Sequence, residues 1–403
     1  MRVVQINLSC TWGSTGKICD AVSRLLDGQG IENYIFYTYG GNPQGRENYI
    51  RYGNWCYEKP QALKSRVFGN YGFNSILATR WLIHRLEQIG PDIVHVHNIH
   101  SHDCHFGMLF RYLREKGIKV YYTFHDCWAF TGYCPHFAMA GCDRWQTGCG
   151  NCVLRRRYSW FFDRSAKNYA RKRQALEGLD LTVITPSDWL AGLVKQSFLK
   201  DRPVKVIHNG IDLSVFQPTP SEFREKHGFV GKKLILGVAM GWGPAKGLDV
   251  FCELAERLPE EYRVVLIGTD DKVDATLPAN VLSIHRTQNQ RELAEIYTAA
   301  DLFVNPTRED TYPTVNMEAL ACGTPVLTFR TGGSPEILDD SCGSVVDGDD
   351  VEALLGEILR IGKERPYTEE ACVRRAEAFD KNQRFKEYVE LYERIDVTGA
   401  QGH

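Results

Sequence analysis

The chain has 403 residues, 43% hydrophobic and 24% charged, the composition of an ordinary globular protein with room for two substantial cores. A net charge of −2 gives no global attraction for nucleic acid, so any basic partner surface has to be local. No run of about 18 apolar residues is present, so no membrane-spanning helix is expected.

The first residues, Met1-Arg-Val-Val-Gln-Ile-Asn7, read as a strand rather than a secretory signal, which needs an apolar stretch and a cleavage site. The protein is therefore expected in the cytoplasm, with its 13 cysteines reduced. Short β-branched runs then alternate with helical patterns. In the first half the predicted strands are Arg2–Asn7, Tyr34–Thr38, Asp92–Asn98, Lys119–Asp126, Leu181–Ser187 and Val204–His208. In the second half they are Lys233–Ala239, Arg263–Gly268, Val281–His285, Leu302–Asn305, Val326–Phe329 and Gly343–Asp347. This rhythm predicts an α/β protein of two doubly wound, Rossmann-like domains. His208-Asn-Gly-Ile-Asp-Leu-Ser-Val-Phe-Gln-Pro218, with turn-forming Asn209-Gly210 and a closing proline, separates them.

Several motifs in the first half carry candidate chemistry. Gly13-Ser-Thr-Gly-Lys17 follows the first strand; it is too short for a Walker A loop, and Ile18 replaces the metal-binding hydroxyl. His125 and Asp126 end a strand at its carboxyl edge, where ligands of such sheets bind, although a core histidine satisfied by backbone groups would look the same. His95, His97 and His100 also follow a strand and are assigned no catalytic role; no nearby carboxylate or cysteine completes a metal pair with them. Cys134, Cys142, Cys149 and Cys152 lie in an irregular segment ending in Cys-x2-Cys, compatible with one structural zinc, with free thiols or with disulfides. The segment 155–173 holds eight basic residues and one acid together with Trp160, Phe161 and Phe162. It could rest on an anionic membrane surface or be a solvated face, and nucleic acid is not expected as a partner.

The second half is more specific. Gly241-Trp-Gly-Pro-Ala-Lys-Gly247 joins a strand to a helix, with glycines that admit a phosphate and Lys246 as a point charge. Its glycine spacing is wrong for a dinucleotide fingerprint. Pro306 closes the strand Leu302–Asn305, and Thr314 is placed to cap a helix that stops at Gly323. The N–H groups of Thr314 and Val315 and the helix dipole favour a diphosphate. Glu318, one turn inside, can accept both hydroxyls of a ribose, and Asp310 lies in the loop ahead. Gly332 and Gly333, before another helix start, could present N–H groups to a phosphate.

The run Asp310-x7-Glu318-Ala-Leu-Ala-Cys-Gly-Thr-Pro-Val resembles the signature of retaining glycosyltransferases of family four, which have the GT-B fold. The family shows Glu-x7-Glu, and the spacing puts Asp310, not Glu309, at the first acid, with one methylene less reach. Asn209-Gly-Ile-Asp212 is similar to the family's interdomain connector, and Gly332-Gly-Ser-Pro-Glu336 to its Gly-Gly-x-Pro-Glu turn. In the family's Gly-Arg-Leu-x3-Lys-Gly loop, arginine and lysine bind the diphosphate; Lys246 and Gly247 match, while Gly241 occupies the arginine position, with Arg308 or Arg330 as substitutes by proximity. The resemblance implies domains at 1–207 and 208–380 facing across a cleft, and a terminal helix at 381–403 crossing back. It implies that Gly16 lies in a loop closing on the donor, that His125 contacts the donor sugar, and that catalysis needs no metal. The expected reaction moves a sugar from a nucleotide-diphosphate sugar to a saccharide or lipid-linked acceptor for a surface polysaccharide, at the inner face of the membrane. Two alternatives follow from the departures: a non-catalytic sugar-nucleotide-binding partner subunit, and a nicotinamide-dependent oxidoreductase using the Gly241–Gly247 turn. An epimerase on the same fold is a further variant.

Overall fold

Alternation of β-branched runs with amphipathic helices gives this chain two parallel sheets. The computed structural model describes residues 1–43, 45–53, 55–100, 102 and 104–399, the side chains of 55–57 and 395–399 excepted. Contacts divide the chain into one unit made of Met1–Ile207 with Phe385–His403, and a second, His208–Arg384.

In the first unit the strands are β1 Arg2–Ile6, β2 Glu32–Tyr37, β3 Tyr49–Arg51, β4 Ile93–Val96, β5 Lys119–Thr123, β6 Leu181–Thr185 and β7 Val204–Val206. They form one sheet in the order β3-β2-β1-β4-β5-β6-β7, parallel throughout. The inner strands β1, β4, β5 and β6 are buried on both faces, which is why they read as near-continuous apolar runs. Val4 and Ile6 face one core with Leu109 and Leu113. Val3, Ile93 and Tyr121 face the other, against Ile18, Val22 and Leu26 of the helix Gly13–Gly28. β3 was not expected; three residues after a glycine-rich turn carry no periodicity that marks a strand.

The second unit holds β8 Lys233–Val238, β9 Tyr262–Ile267, β10 Val281–Ile284, β11 Leu302–Asn305, β12 Val326–Phe329 and β13 Gly343–Val346. Its order is β10-β9-β8-β11-β12-β13. In both sheets the chain reverses its direction of winding beside the first strand, between β1 and β4 and between β8 and β11. The loops that leave adjacent strands there diverge to opposite faces, opening a crevice at the carboxyl edge.

The second unit runs on to Arg384: Ile211 N–H bonds to Phe379 O at 2.8 Å, and Lys381 pairs with Asp212. The chain rejoins the first unit at Phe385 rather than Lys381. There the helix Lys386–Gly399 buries Tyr388, Val389 and Tyr392 against Tyr121 and Ile184. Tyr121 Oη donates to Leu391 O at 2.9 Å, and the Tyr392 hydroxyl bonds to His95 Nδ1. The terminal helix is thus core to the first sheet. Tyr392→Ala removes a wholly buried ring and this bond, and should destabilise the first domain by about 3–5 kcal/mol. A urea unfolding midpoint equal to that of the parent protein would show that the helix is dispensable.

Candidate functional site

The loops that follow β8 and β11 bring Lys246, Arg308 and Asp310 together. After β8 the chain passes exposed Met240 and Gly241, makes one 3-10 turn at Pro244–Lys246, and enters the helix Leu248–Arg257 at Gly247. Gly247 has φ +73°, and a Cβ there would stand 2.5 Å from Pro306 O, so the loop closes directly on the end of β11. Arg308 fixes it from the other side. Its guanidinium takes both oxygens of Asp249 at 2.7 and 2.8 Å and Pro244 O at 2.6 Å, and it also bonds Asp349. Those hydrogen bonds, Asp249's first, raise the Arg308 pKa. Arg308 is therefore a staple for the glycine loop and not the substitute phosphate cation. Arg330 pairs with Asp347 at 3.0 Å, but both side chains are largely exposed, so this pair is weak and exchangeable.

Lys246 remains over the crevice, where Nζ lies 2.7 Å from Asp310 Oδ2. The structure thus joins two residues expected to act on separate parts of a ligand. The backbone of Asp310 is placed by Gly332, whose φ is +55° and whose Cβ would stand 1.8 Å from Asp310 O. Gly333 differs from expectation: its N–H already donates to Thr311 O at 3.1 Å, so it locks the two loops together instead of offering a donor.

The helix Thr314–Ala321 starts one residue earlier than expected. Pro313, in extended conformation, is the N-cap, and no side chain caps the helix. Thr314 is its first residue. Because Pro313 has no hydrogen-bonding side chain, the N–H groups of Thr314 and Val315 have no cap and no intrahelical acceptor. Asn305 Nδ2 donates to Asn316 Oδ1 at 2.8 Å, tying this first turn to the end of β11. Glu318 is half-buried one turn in, and its Oε2 accepts from the buried Tyr297 hydroxyl at 3.3 Å. Tyr297 carries no motif, and its part in orienting Glu318 was not legible in the sequence.

In the first unit the carboxyl edge at the β1–β4–β5 junction carries a row of imidazoles. His95 Nε2 bonds Thr123 Oγ1 at 2.7 Å. His97 Nδ1 lies 3.2 Å from His125 Nε2, with the rings stacked at 5.5 Å. Next to them His100 pairs with Asp126 at 3.0 Å. Burial opposes ionisation of Asp126, but His100 beside it and the Trp128 N–H hold its pKa at about 2. Burial lowers His125 to about 4 and His95 to about 3. His125 is therefore a neutral ring at neutral pH, oriented by His97, which had been set aside. Gly16 is not in an open loop: the helix begins at Gly13, and Gly16 is buried in its first turn, where a Cβ would stand 2.5 Å from Ser9 Oγ.

The segment 155–173 divides. Trp160, Phe161 and Phe162 are 53, 64 and 48% exposed. Trp160 N–H bonds Arg66 O at 2.7 Å, which sets these rings beside the helix Trp55–Phe68 with its exposed Leu63 and Phe68. Arg155 and Arg66 bond to backbone carbonyls within the same segment. Lys172, by contrast, is wholly buried and belongs to the core. Among the described residues no helix is long and apolar enough to cross a membrane.

Residues 16–215 match the family model described as Glycosyltransferase Family 4. Residues 232–364 match the model described as Glycosyl transferases group 1. The glycosyl transferase WcaC of Escherichia coli (strain K12), named for colanic acid biosynthesis, is 25% identical over 98% of this chain and 100% of its own length. A D-inositol 3-phosphate glycosyltransferase of Xylanimonas cellulosilytica is 33% identical over 39% of this chain and 43% of its own. Among solved structures, sucrose-phosphate synthase from Thermosynechococcus elongatus aligns with TM-score 0.70 at 16% identity over 99% of this chain and all of that one. Anabaena Alr3699/HepE, solved in complex with UDP, aligns with TM-score 0.68 at 12% identity over 98% of this chain and all of that one. At these identities the structural likeness is one of fold, the GT-B pairing of two Rossmann-like domains.

Buried His95 and the half-buried His102, His105 and His125 make the first domain sensitive to mild acid. His95, His102, His105 and His125 have folded pKa values of about 3 to 4, all lowered first by burial, whereas in the unfolded chain they protonate near the ordinary value of 6.5. Below that value the unfolded state binds more protons, so stability falls as pH drops from about 6.5 toward 4, by up to ~1.4 kcal/mol per pH unit per histidine. Urea midpoints for the first domain should therefore decline well above the carboxylate range. A flat profile down to pH about 4.5 would contradict neutral, buried rings.

Proposed function

The chain belongs to the glycosyltransferases of family four, and we propose that it moves a sugar, with retention of anomeric configuration, from a nucleotide-diphosphate sugar to a hydroxyl of a saccharide or lipid-linked saccharide acceptor. The product belongs to a surface polysaccharide; the full-length relative named for colanic acid biosynthesis supports that assignment. The relative solved with UDP supports a nucleotide-diphosphate donor.

The observation that carries this reading is the Lys246–Asp310 pair beside the uncapped helix start. A half-exposed ion pair is worth about 0–1 kcal/mol. A diphosphate offers Lys246 charged hydrogen bonds worth about 1.5–3 kcal/mol, and it repels Asp310. Binding therefore transfers Lys246 to the ligand and turns the Asp310 carboxylate toward the sugar hydroxyls next to it. Thr314 and Val315 donate N–H groups to the same diphosphate, supported by the helix dipole. Glu318, steadied by Tyr297, accepts the ribose hydroxyls. Charge develops on the diphosphate as the glycosidic bond breaks, so donors fixed there lower the barrier most. The acceptor hydroxyl attacks from the face the leaving group departs. His125, neutral, is a hydrogen-bonding partner for the sugar and not a cationic acid. Since Arg308 is engaged elsewhere, the helix terminus, with Arg330 in an exposed and exchangeable pair, takes the place of the second phosphate cation.

Glu318→Ala should weaken nucleoside diphosphate binding by about 10–100-fold in calorimetry, the equivalent of 1.5–3 kcal/mol. Unchanged affinity would remove Glu318 from the ribose. A turnover screen with nucleotide sugars distinguishes the enzyme from a binding-only subunit, which would bind tightly and release no nucleoside diphosphate.

The lipid-linked acceptor implies work at the cytoplasmic face of a membrane. The exposed Trp160, Phe161 and Phe162 among Arg155, Arg156, Arg157 and Arg164 are suited to an anionic lipid surface. Replacing all three aromatics with alanine should abolish co-sedimentation with phosphatidylglycerol vesicles while leaving nucleotide affinity intact. Equal sedimentation of variant and parent would assign the patch another purpose.

A further inference from the structure

The segment between β5 and the helix Ser165–Leu176 contains four cysteines that the transfer reaction does not use. It has little regular structure, only the 3-10 turns Trp128–Phe130 and Arg144–Gln146 and one short helix, Arg155–Tyr158. Such a stretch needs some other source of order. Its cysteines converge. Cys134 is buried in the first domain's core, and Cys142 and Cys149 pack against that same core, with Cys152 three residues beyond Cys149. Two of the sulfurs already face backbone donors: Gly132 N–H bonds Cys149 Sγ at 3.2 Å, and Leu154 N–H faces that of Cys152. Amide donors of this kind stabilise thiolates. Between Cys149 and Cys152 the chain turns through Asn151 at φ 46°.

A second, independent feature is Lys172. It is wholly buried, its ammonium donating to Trp128 O at 2.6 Å and Thr131 O at 3.0 Å and lying 3.4 Å from the Trp128 ring centroid. Two carbonyls and a ring do not neutralise a buried charge. Burial favours its neutral form, and the groups that oppose this are Cys134, Cys149 and Asp126. As neutral thiols the two cysteines provide no counter-charge; as metal-bound thiolates they would add to that of Asp126.

We propose that Cys134, Cys142, Cys149 and Cys152 bind one zinc ion as a tetrathiolate, with Lys172 as its buried counter-cation. Each thiol gives up its proton on binding, so four protons leave and a Zn²⁺ with four thiolates carries a net −2, partly balanced by the Lys172 ammonium. Among the described residues, donor atoms of three or more such side chains lie mutually within 4.8 Å only at Asp271, Asp274 and His285, an exposed set in which His285 is already paired with Asp274 at 2.7 Å. The four sulfurs stand wider than that, and metal binding draws them inward. The consequence reaches the first domain's edge, because Trp128 N–H bonds Asp126 Oδ1 at 2.8 Å and Cys127 N–H bonds Pro135 O at 2.9 Å. The zinc thus holds the loop that follows His125 and Asp126.

The test uses the full chain expressed with zinc and purified without reductant-chelator mixtures. Metal analysis should give about one zinc per chain, and release of that zinc by an organomercurial should accompany reaction of four thiols. Cobalt substitution should give the visible and near-ultraviolet bands of a tetrahedral tetrathiolate. Removal by a chelator should lower the thermal midpoint of the first domain. The half-buried pair is replaced in Cys142→Ser/Cys152→Ser, which should copurify with metal only at background. The proposal is overturned by background metal in the parent protein, by undiminished zinc in the double variant, or by a disulfide between any two of the four cysteines. These readouts need no substrate and stand apart from the transfer reaction.

Discussion

Lys246 and Asp310 hold opposite charges 2.7 Å apart at the carboxyl edge of the second sheet, and the site is arranged around keeping them there. The sheet order puts β8 beside β11, so the loops after these strands begin as neighbours and then diverge. Arg308 binds the glycine loop to the helix behind it through Asp249 and Pro244, and Gly332 lets the loop after β12 press against Asp310 O. Neither residue needs to touch a ligand. Both set where the lysine of the glycine loop and its acidic partner stand. A weak pair in a rigid frame is a poor stabiliser of the fold and, on the proposed function, a resting state for two groups that a diphosphate would separate.

The strand rhythm of the sequence and the run from Asn305 to Leu327 were legible because they depend on local pattern. Continuous β-branched runs, Pro306 at a strand end and Gly323 after a helix are all short-range signals. What was misread depended on long-range bonds. Arg308 looked like a spare cation because Asp249 and Asp349 lie far from it in sequence. Gly333 looked like a phosphate donor because Thr311 O, which takes its N–H, comes from a different loop. Thr314 looked like a cap because the pattern of a hydroxyl before an apolar run is common, yet proline at 313 already ends the extended segment. Gly16 was placed in an open loop in the same way, and the structure packs it inside a helix turn against Ser9.

The first domain shows a different balance. It concentrates buried imidazoles, a buried ammonium and four thiols around the end of β5, where a chain relying on apolar packing alone would have placed leucines. Such polar interiors are costly unless each group is matched. The terminal helix provides part of the match by bringing Tyr392 to His95, and the Asp126 carboxylate provides another by pairing with His100. Fold and site are coupled there: the residues that would meet a sugar are the same ones that need neighbours in order to be buried at all.

The most direct measurement is a crystal structure of the protein soaked with a nucleoside diphosphate. The account predicts diphosphate oxygens within hydrogen-bond distance of the Thr314 and Val315 N–H groups and of Lys246 Nζ, with Lys246 drawn away from Asp310 and Glu318 on the ribose. A ligand bound elsewhere, or a Lys246–Asp310 pair left intact beside a bound diphosphate, would contradict it.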